Sequence, residues 1–152
     1  SFTFGVKRGE YFIAVFGGNR NSFYSIKASQ KRIYENSGST KKSAKLLSTY
    51  GQTQGIITVD QIKNTADWYK FKISKTSFTT FSIKTKITGT NGKLKFSVYN
   101  KKGKLVDTYN AYSRSNSFHF SPANNGTKLK AGTYYLKISR TGDANGYYSI
   151  RW

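Results

Sequence analysis

The sequence predicts an all-β protein, an antiparallel jelly-roll-like β-sandwich. Three observations carry this expectation. Apolar and polar residues alternate with a period of two along much of the chain, as they do in a strand with one buried face. Turns rich in Gly and Asn separate the alternating runs, at roughly the 8–12-residue spacing of sandwich strands. The chain also states one pattern twice. Gly9, Tyr11, Ile13, Val15 and Tyr24-Ser25-Ile26 match Gly132, Tyr134, Leu136, Ile138 and Tyr148-Ser149-Ile150. Such self-similarity is the mark of tandem modules.

The elements follow in order. Ser1 to Ala28 reads as the C-terminal strands of a truncated preceding repeat. Residues 29–40 are polar and contain Gly and Ser, which suits a linker. Residues 41–152 then form the complete sandwich. Lys41 to Leu47 is the one stretch able to form a helical turn, with Ser39 and Thr40 as caps. In Asp67 to Ile73 the inward positions are Tyr69, Phe71 and Ile73, and the outward ones Trp68, Lys70 and Lys72. Phe81, Ile83 and Ile87 point in, with Lys84 and Lys86 out. Leu94, Phe96 and Val98 point in, with Lys93, Lys95 and Ser97 out. Tyr134, Leu136 and Ile138 point in, with Tyr135, Lys137 and Ser139 out. Tyr148 and Ile150 close the core, with Arg151 outward. Thr90-Asn91-Gly92 carries the positive-φ signal of a tight hairpin, and Asn100 to Gly103 is a second turn. Asn124 to Gly126 and Gly142 to Gly146 read as longer loops.

Composition agrees with this reading. Aromatic residues make up 16% of the chain, nearly all Tyr and Phe, and Pro122 is the single proline; that balance fits half-buried strands joined by turns. At 152 residues the chain has room for about one domain with an ordinary core. The sequence has no Cys, which excludes disulfides and thiolate metal sites. No apolar run approaches the roughly 18 residues of a membrane-spanning helix. No secretory signal is visible, as expected of a mature or trimmed chain.

Charge bears on partners. The chain has 26 Lys plus Arg against 6 Asp plus Glu, a formal net charge of +20. A balance this basic steers association with anions such as wall polymers, sulfated glycans or acidic lipid. Lys84, Lys86, Lys93 and Lys95 fall on outward strand positions and are the candidate contacts for a polyanion. The same lysines also serve a solvated face that resists edge-to-edge pairing.

Catalytic chemistry finds little support. The one histidine, His119, lies between Phe118 and Phe120 and so faces outward if they face in; its counterpart in the earlier copy is Thr3. The six acids, Glu10, Glu35, Asp60, Asp67, Asp107 and Asp143, are scattered, without the local context of a paired-carboxylate site. No Gly-rich phosphate loop is present, and no helix-turn-helix, zinc-finger or RNA-recognition signature accompanies the basic charge. Nucleic acid is therefore not an expected partner.

Several motifs together look familiar. They are Tyr34 to Ser37, Asp67-Trp68-Tyr69-Lys70-Phe71, Phe96 to Leu105, Ala131 to Ile138 and Gly146 to Ile150. In this order they resemble the bacterial pre-peptidase C-terminal domain family, which includes the collagen-binding domains of clostridial collagenases. The resemblance covers about Lys31 to Trp152, and Ser1 to Ala28 matches the tail of a preceding copy. It implies a sandwich appended to a secreted or surface bacterial protein. It also implies tyrosine contacts to a matrix protein, whose counterparts here are Tyr135, Tyr147 and Tyr112. Some relatives bind Ca²⁺ near the start of the domain; the corresponding residues are Glu35, Asn36, Asp60 and Asp67. Arg32 and Tyr34 stand where such relatives often carry acids. Ca²⁺ needs six to eight oxygens, so no cofactor is expected, with calcium the one candidate.

Two functions fit. One is a non-catalytic extracellular module that attaches its parent protein to matrix, glycan or cell-wall polymer through a basic, Tyr-bearing sheet face. The other is a structural spacer or folding aid with no ligand of its own. Alone, the two or three strands of Ser1 to Ala28 are marginal in water. Either their partner strands lie elsewhere, a cleaved fragment included, or a second molecule covers them, making the chain a homo-oligomer.

Overall fold

Among the described residues nine strands pack as two sheets. The structure, a computed structural model, describes residues 6, 8–17, 23–58, 65–122 and 127–152. The strands are β1 (Lys45–Leu46), β2 (Gln52–Ile57), β3 (Ala66–Ile73), β4 (Phe81–Thr88), β5 (Lys93–Asn100), β6 (Leu105–Ala111), β7 (Ser117–Phe120), β8 (Gly132–Thr141) and β9 (Asn145–Arg151). One sheet has the order β1-β3-β8-β5-β6, the other β2-β9-β4-β7. All pairings are antiparallel except that of β1 with β3. Among the described residues there is no helix, and the fold is an all-β sandwich, as the alternation predicts.

The inner faces follow the period-two pattern. Tyr69, Phe71 and Ile73 of β3, Tyr134, Leu136 and Ile138 of β8, and Leu94, Phe96 and Val98 of β5 are buried. They meet Phe81, Ile83 and Ile87 of β4 and Tyr148 and Ile150 of β9. Edge-to-face aromatic contacts cross the interior: Phe71 with Phe81 at 5.1 Å, Phe71 with Trp152 at 5.2 Å, and Phe96 with Tyr148 at 6.1 Å between centroids. Such geometry adds to the burial of area alone.

One turn differs from expectation. Asn91-Gly92 does not close a hairpin, because β4 and β5 lie in different sheets. It is a corner, and Asp143 holds it: the carboxylate accepts from the backbone N–H of Thr90 and of Asn91, both at 2.9 Å. Those bonds hold the Asp143 carboxyl below the usual carboxylate range. Lys41 to Leu47, the stretch able to form a helical turn, makes a single turn at its start. Thr40 and Ser43 exchange backbone-to-side-chain hydrogen bonds at 3.0 and 3.2 Å, and β1 then runs beside β3. Of the two expected caps Thr40 makes the bonds, and pairing with β3 then satisfies the backbone. The Asn100–Gly103 turn does join a hairpin, β5 to β6. Gly103 takes a φ of 86°, and Asn100 Oδ1 accepts from the Lys104 N–H at 3.0 Å. The loop expected at Asn124 to Gly126 lies outside the described residues.

The sandwich begins before residue 41. Gly38 pairs with Trp68 through two backbone hydrogen bonds, Gly38 N to Trp68 O at 3.0 Å and Trp68 N to Gly38 O at 2.7 Å. Residues 8–17 and 23–36 hold no strand, and apart from half-buried Ile33 their large apolar side chains are exposed.

Candidate functional site

Three places hold chemistry: the outer face of each sheet and a cleft at the start of β3.

The outer face of the five-stranded sheet is built in cross-strand rows. Lys70, Tyr135 and Tyr99 form one row across β3, β8 and β5, and Trp68, Lys137 and Ser97 form the next. Ala66, Ser139 and Lys95 form a third. The first two rows thus bring aromatic and cationic positions side by side, Tyr135 beside Lys70 and Trp68 beside Lys137. Trp68 and Tyr99 lie 5.8 Å apart between centroids. The Lys137 ammonium sits 5.4 Å over Trp68, and that of Lys41 sits 4.7 Å over Tyr135 while donating to Lys101 O at 2.9 Å. Each ammonium over a ring gains roughly 0.5–1 kcal/mol at an exposed site. No carboxylate occupies an outward position of β3, β8 or β5.

The outer face of the four-stranded sheet is more mixed. Gln52, Arg151, Ser82 and His119 form one row, Gln54, Ser149, Lys84 and Ser117 a second, and Ile56, Tyr147 and Lys86 a third. His119 points outward, with Nδ1 3.2 Å from Ser82 Oγ.

The candidate contacts are therefore split. Lys84, Lys86 and Tyr147 lie on the smaller sheet; Lys93, Lys95 and Tyr135 lie on the larger one, on the opposite side of the sandwich. Tyr112 follows β6 and has the Lys93 ammonium 5.7 Å from its ring. Four lysines close in sequence do not form one face, because the chain changes sheets between β4 and β5. The candidates read from the sequence do not include Trp68 and Tyr99, which share this face with Lys70 and Lys137. Their signal is the outward phase of the strands, which becomes a surface only once β3, β8 and β5 are placed side by side.

At the start of β3 the chain buries a carboxylate. Asp67 is 4% exposed and accepts from Tyr148 Oη at 2.6 Å and from Ser37 Oγ at 3.1 Å. The Tyr69 hydroxyl lies 3.0 Å from that of Tyr148. Burial, with a further push from the charge of Glu35, raises Asp67 to about 7 against the pull of its hydrogen bonds. Burial also raises both phenols, so they stay protonated. Gly55 of β2 makes the arrangement possible: a Cβ there would come within 2.3 Å of Tyr148 Oη.

Of the four calcium candidates, two come together. Glu35 and Asp67 share Ser37, whose Oγ lies 2.9 Å from Glu35 Oε1, and all three line an open cleft of about 410 Å³. Asn36 faces a neighbouring cleft with Tyr34, Gln52, Thr53 and Gln54. Asp60 lies outside the described residues. Two carboxylates, one committed to Tyr148, fall short of the six to eight oxygens Ca²⁺ takes. Among the described residues no three His, Cys, Asp or Glu gather into a metal-binding group.

The two facing sheets define the chain as an all-β sandwich. Comparison with family models names the type. The model of the FlgD Ig-like domain matches residues 69–144, half of the chain, and the chain belongs to that family. The match runs from β3 to the connection after β8. The family bears the name of FlgD, the flagellar hook capping protein. A search of curated proteins found no match to the chain.

This finding overturns the resemblance to the pre-peptidase C-terminal family. The motifs behind that resemblance, Asp67 to Phe71 and Gly132 to Leu136, are β3 and β8, which pair residue for residue from Ala66–Ser139 to Ile73–Gly132. They report two neighbouring strands with large inward aromatics, a need common to sandwiches of different descent.

Proposed function

We propose that the chain is an extracytoplasmic binding module that holds its parent protein on an anionic polysaccharide or wall polymer. The observation that carries this reading is the outer face of the five-stranded sheet, where Trp68, Tyr99 and Tyr135 lie among Lys70, Lys137 and Lys41. Flat rings stack on sugar faces, and ammonium groups between them meet carboxylate, sulfate or phosphate substituents. The family's tie to a flagellar hook capping protein supports an extracytoplasmic location. It also favours a second reading, a structural module within such an assembly that has no soluble ligand.

Binding to heparin and to a teichoic-acid preparation, measured as salt is raised, separates the two readings. Affinity is expected to fall steeply with ionic strength, as it does when bound counterions are released. Trp68→Ala combined with Lys70→Ala and Lys137→Ala should abolish binding, whereas Lys84→Ala with Lys86→Ala on the opposite face should keep most of it. No binding to either polymer at low salt favours the structural module.

A further inference from the structure

The repeated pattern has a definite structural meaning in its second occurrence. β8 is hydrogen-bonded on both sides, to β3 and β5, and β9 on both sides, to β2 and β4. They are inner strands of the two sheets. The matched positions Leu136, Ile138, Tyr148 and Ile150 are all 0% exposed.

In the first occurrence the same pattern is uncovered. Ile13 is 64% exposed, Val15 47%, Tyr24 70% and Ile26 51%. The chain's own sandwich cannot take them, because residues 132–151 already fill both slots. A second copy has the same slots filled by its own tethered strands. Exchange would replace Leu136 and Ile138 with Ile13 and Val15, with no apolar volume gained.

We propose that residues 9–17 and 23–27 are the β8 and β9 of a second sandwich of this same fold, whose remaining strands lie on another stretch of polypeptide. The partner is defined by chemistry. It presents an open slot in each sheet, between strands equivalent to β3 and β5 and to β2 and β4. It also carries an acceptor where Asp67 stands, to receive the hydroxyl of Tyr24, the counterpart of Tyr148. This inference is independent of the polymer-binding reading.

A full-length chimera tests it, with Gly9–Lys27 in place of Gly132–Arg151 and Trp152 kept. The insert has 19 residues against 20, so the connection between the sheets shortens by one. The chimera is expected to melt cooperatively with the all-β circular dichroism of the parent. Ile13→Asp, made in the inserted copy, should abolish that transition. The same change in the natural segment of the unaltered chain should leave the melting temperature within about 2 °C. A control that transplants only Gly17–Phe23 into the β8–β9 connection reports on the shorter crossing. An unfolded chimera overturns the proposal whether or not the control folds, because the segment must supply both the strands and the crossing. Light scattering on the unaltered chain should show a monomer. A dimer that Ile13→Asp dissolves would overturn the proposal in favour of exchange between copies.

Discussion

The segment 9–26 and the strands β8 and β9 carry one pattern with two outcomes. In β8 and β9 it forms the centre of both sheets; in the segment it holds no strand among the described residues and leaves its large side chains in solvent. Alternation makes a stretch competent to be a strand. What turns competence into structure is a pair of flanking backbones and an opposing apolar face. A strand without them loses its ladder hydrogen bonds and the burial of its inward residues, so the conformational entropy of ordering it goes uncompensated.

The largest expected effect tests the buried half. Leu136 lies in the middle of β8, with Tyr69 opposite on β3 and Val98 opposite on β5. Leu136→Ala should lower stability by about 2–5 kcal/mol, the range for truncating a buried leucine, read from urea unfolding. A loss below about 0.5 kcal/mol would mean that β8 is not at the core.

Much of this was legible. Every inward residue assigned from alternation in β3, β4, β5, β8 and β9 is buried. β2 and β6 were not legible, for different reasons. β2 turns Thr53 and Gly55 inward, opposite Ile150 and Tyr148. Gly55 is there because the Tyr148 hydroxyl occupies the space of a side chain, so the strand shows no apolar alternation. β6 is an edge strand, half-buried for most of its length, with a register shift in its pairing at Val98/Tyr99. The candidate site was less legible. Which lysines share a face depends on which sheet each strand joins. The chain changes sheets at every connection except β5–β6, and local pattern carries no trace of it. The family resemblance makes Asp67 a calcium residue, yet its neighbours make it a buried acceptor for Tyr148.

Asp67 gives the next effect, a dependence of stability on pH. Its ordinary value of 3.8 rises to about 7 in the folded chain. Between these values the native state holds a proton that the unfolded chain has lost, so stability falls as pH rises. The contribution is complete below about pH 4 and gone above about pH 7. Each tenfold gain in proton affinity is worth about 1.4 kcal/mol, so the fall is on the order of a few kcal/mol. Asp67→Asn should flatten the melting temperature between pH 4.5 and 7.5, and Glu35→Gln should lower the midpoint of the transition by removing a charge that pushes Asp67 up. An unchanged profile in Asp67→Asn would assign the dependence to another group. In the tail the counterpart of Tyr148 is Tyr24, which is 70% exposed.

The smallest expected effect is the one that sharpens the comparison most. Ile13→Ala and Tyr24→Phe repeat, in the exposed copy, the kinds of truncation that damage the buried one. Ile13 buries too little surface for its loss to register, and an exposed phenol exchanges any bond for one to water. Each substitution should therefore change the stability of the unaltered chain by no more than about 0.5 kcal/mol, the range of surface changes. Neither should alter the pH profile set by Asp67. Paired with Leu136→Ala, the Ile13 result measures what flanking strands contribute to one sequence pattern, with residue type held nearly constant. A loss above about 1 kcal/mol for Ile13→Ala would mean that the segment packs against its own sandwich in solution. The two copies would then differ in degree of cover rather than in having partners at all.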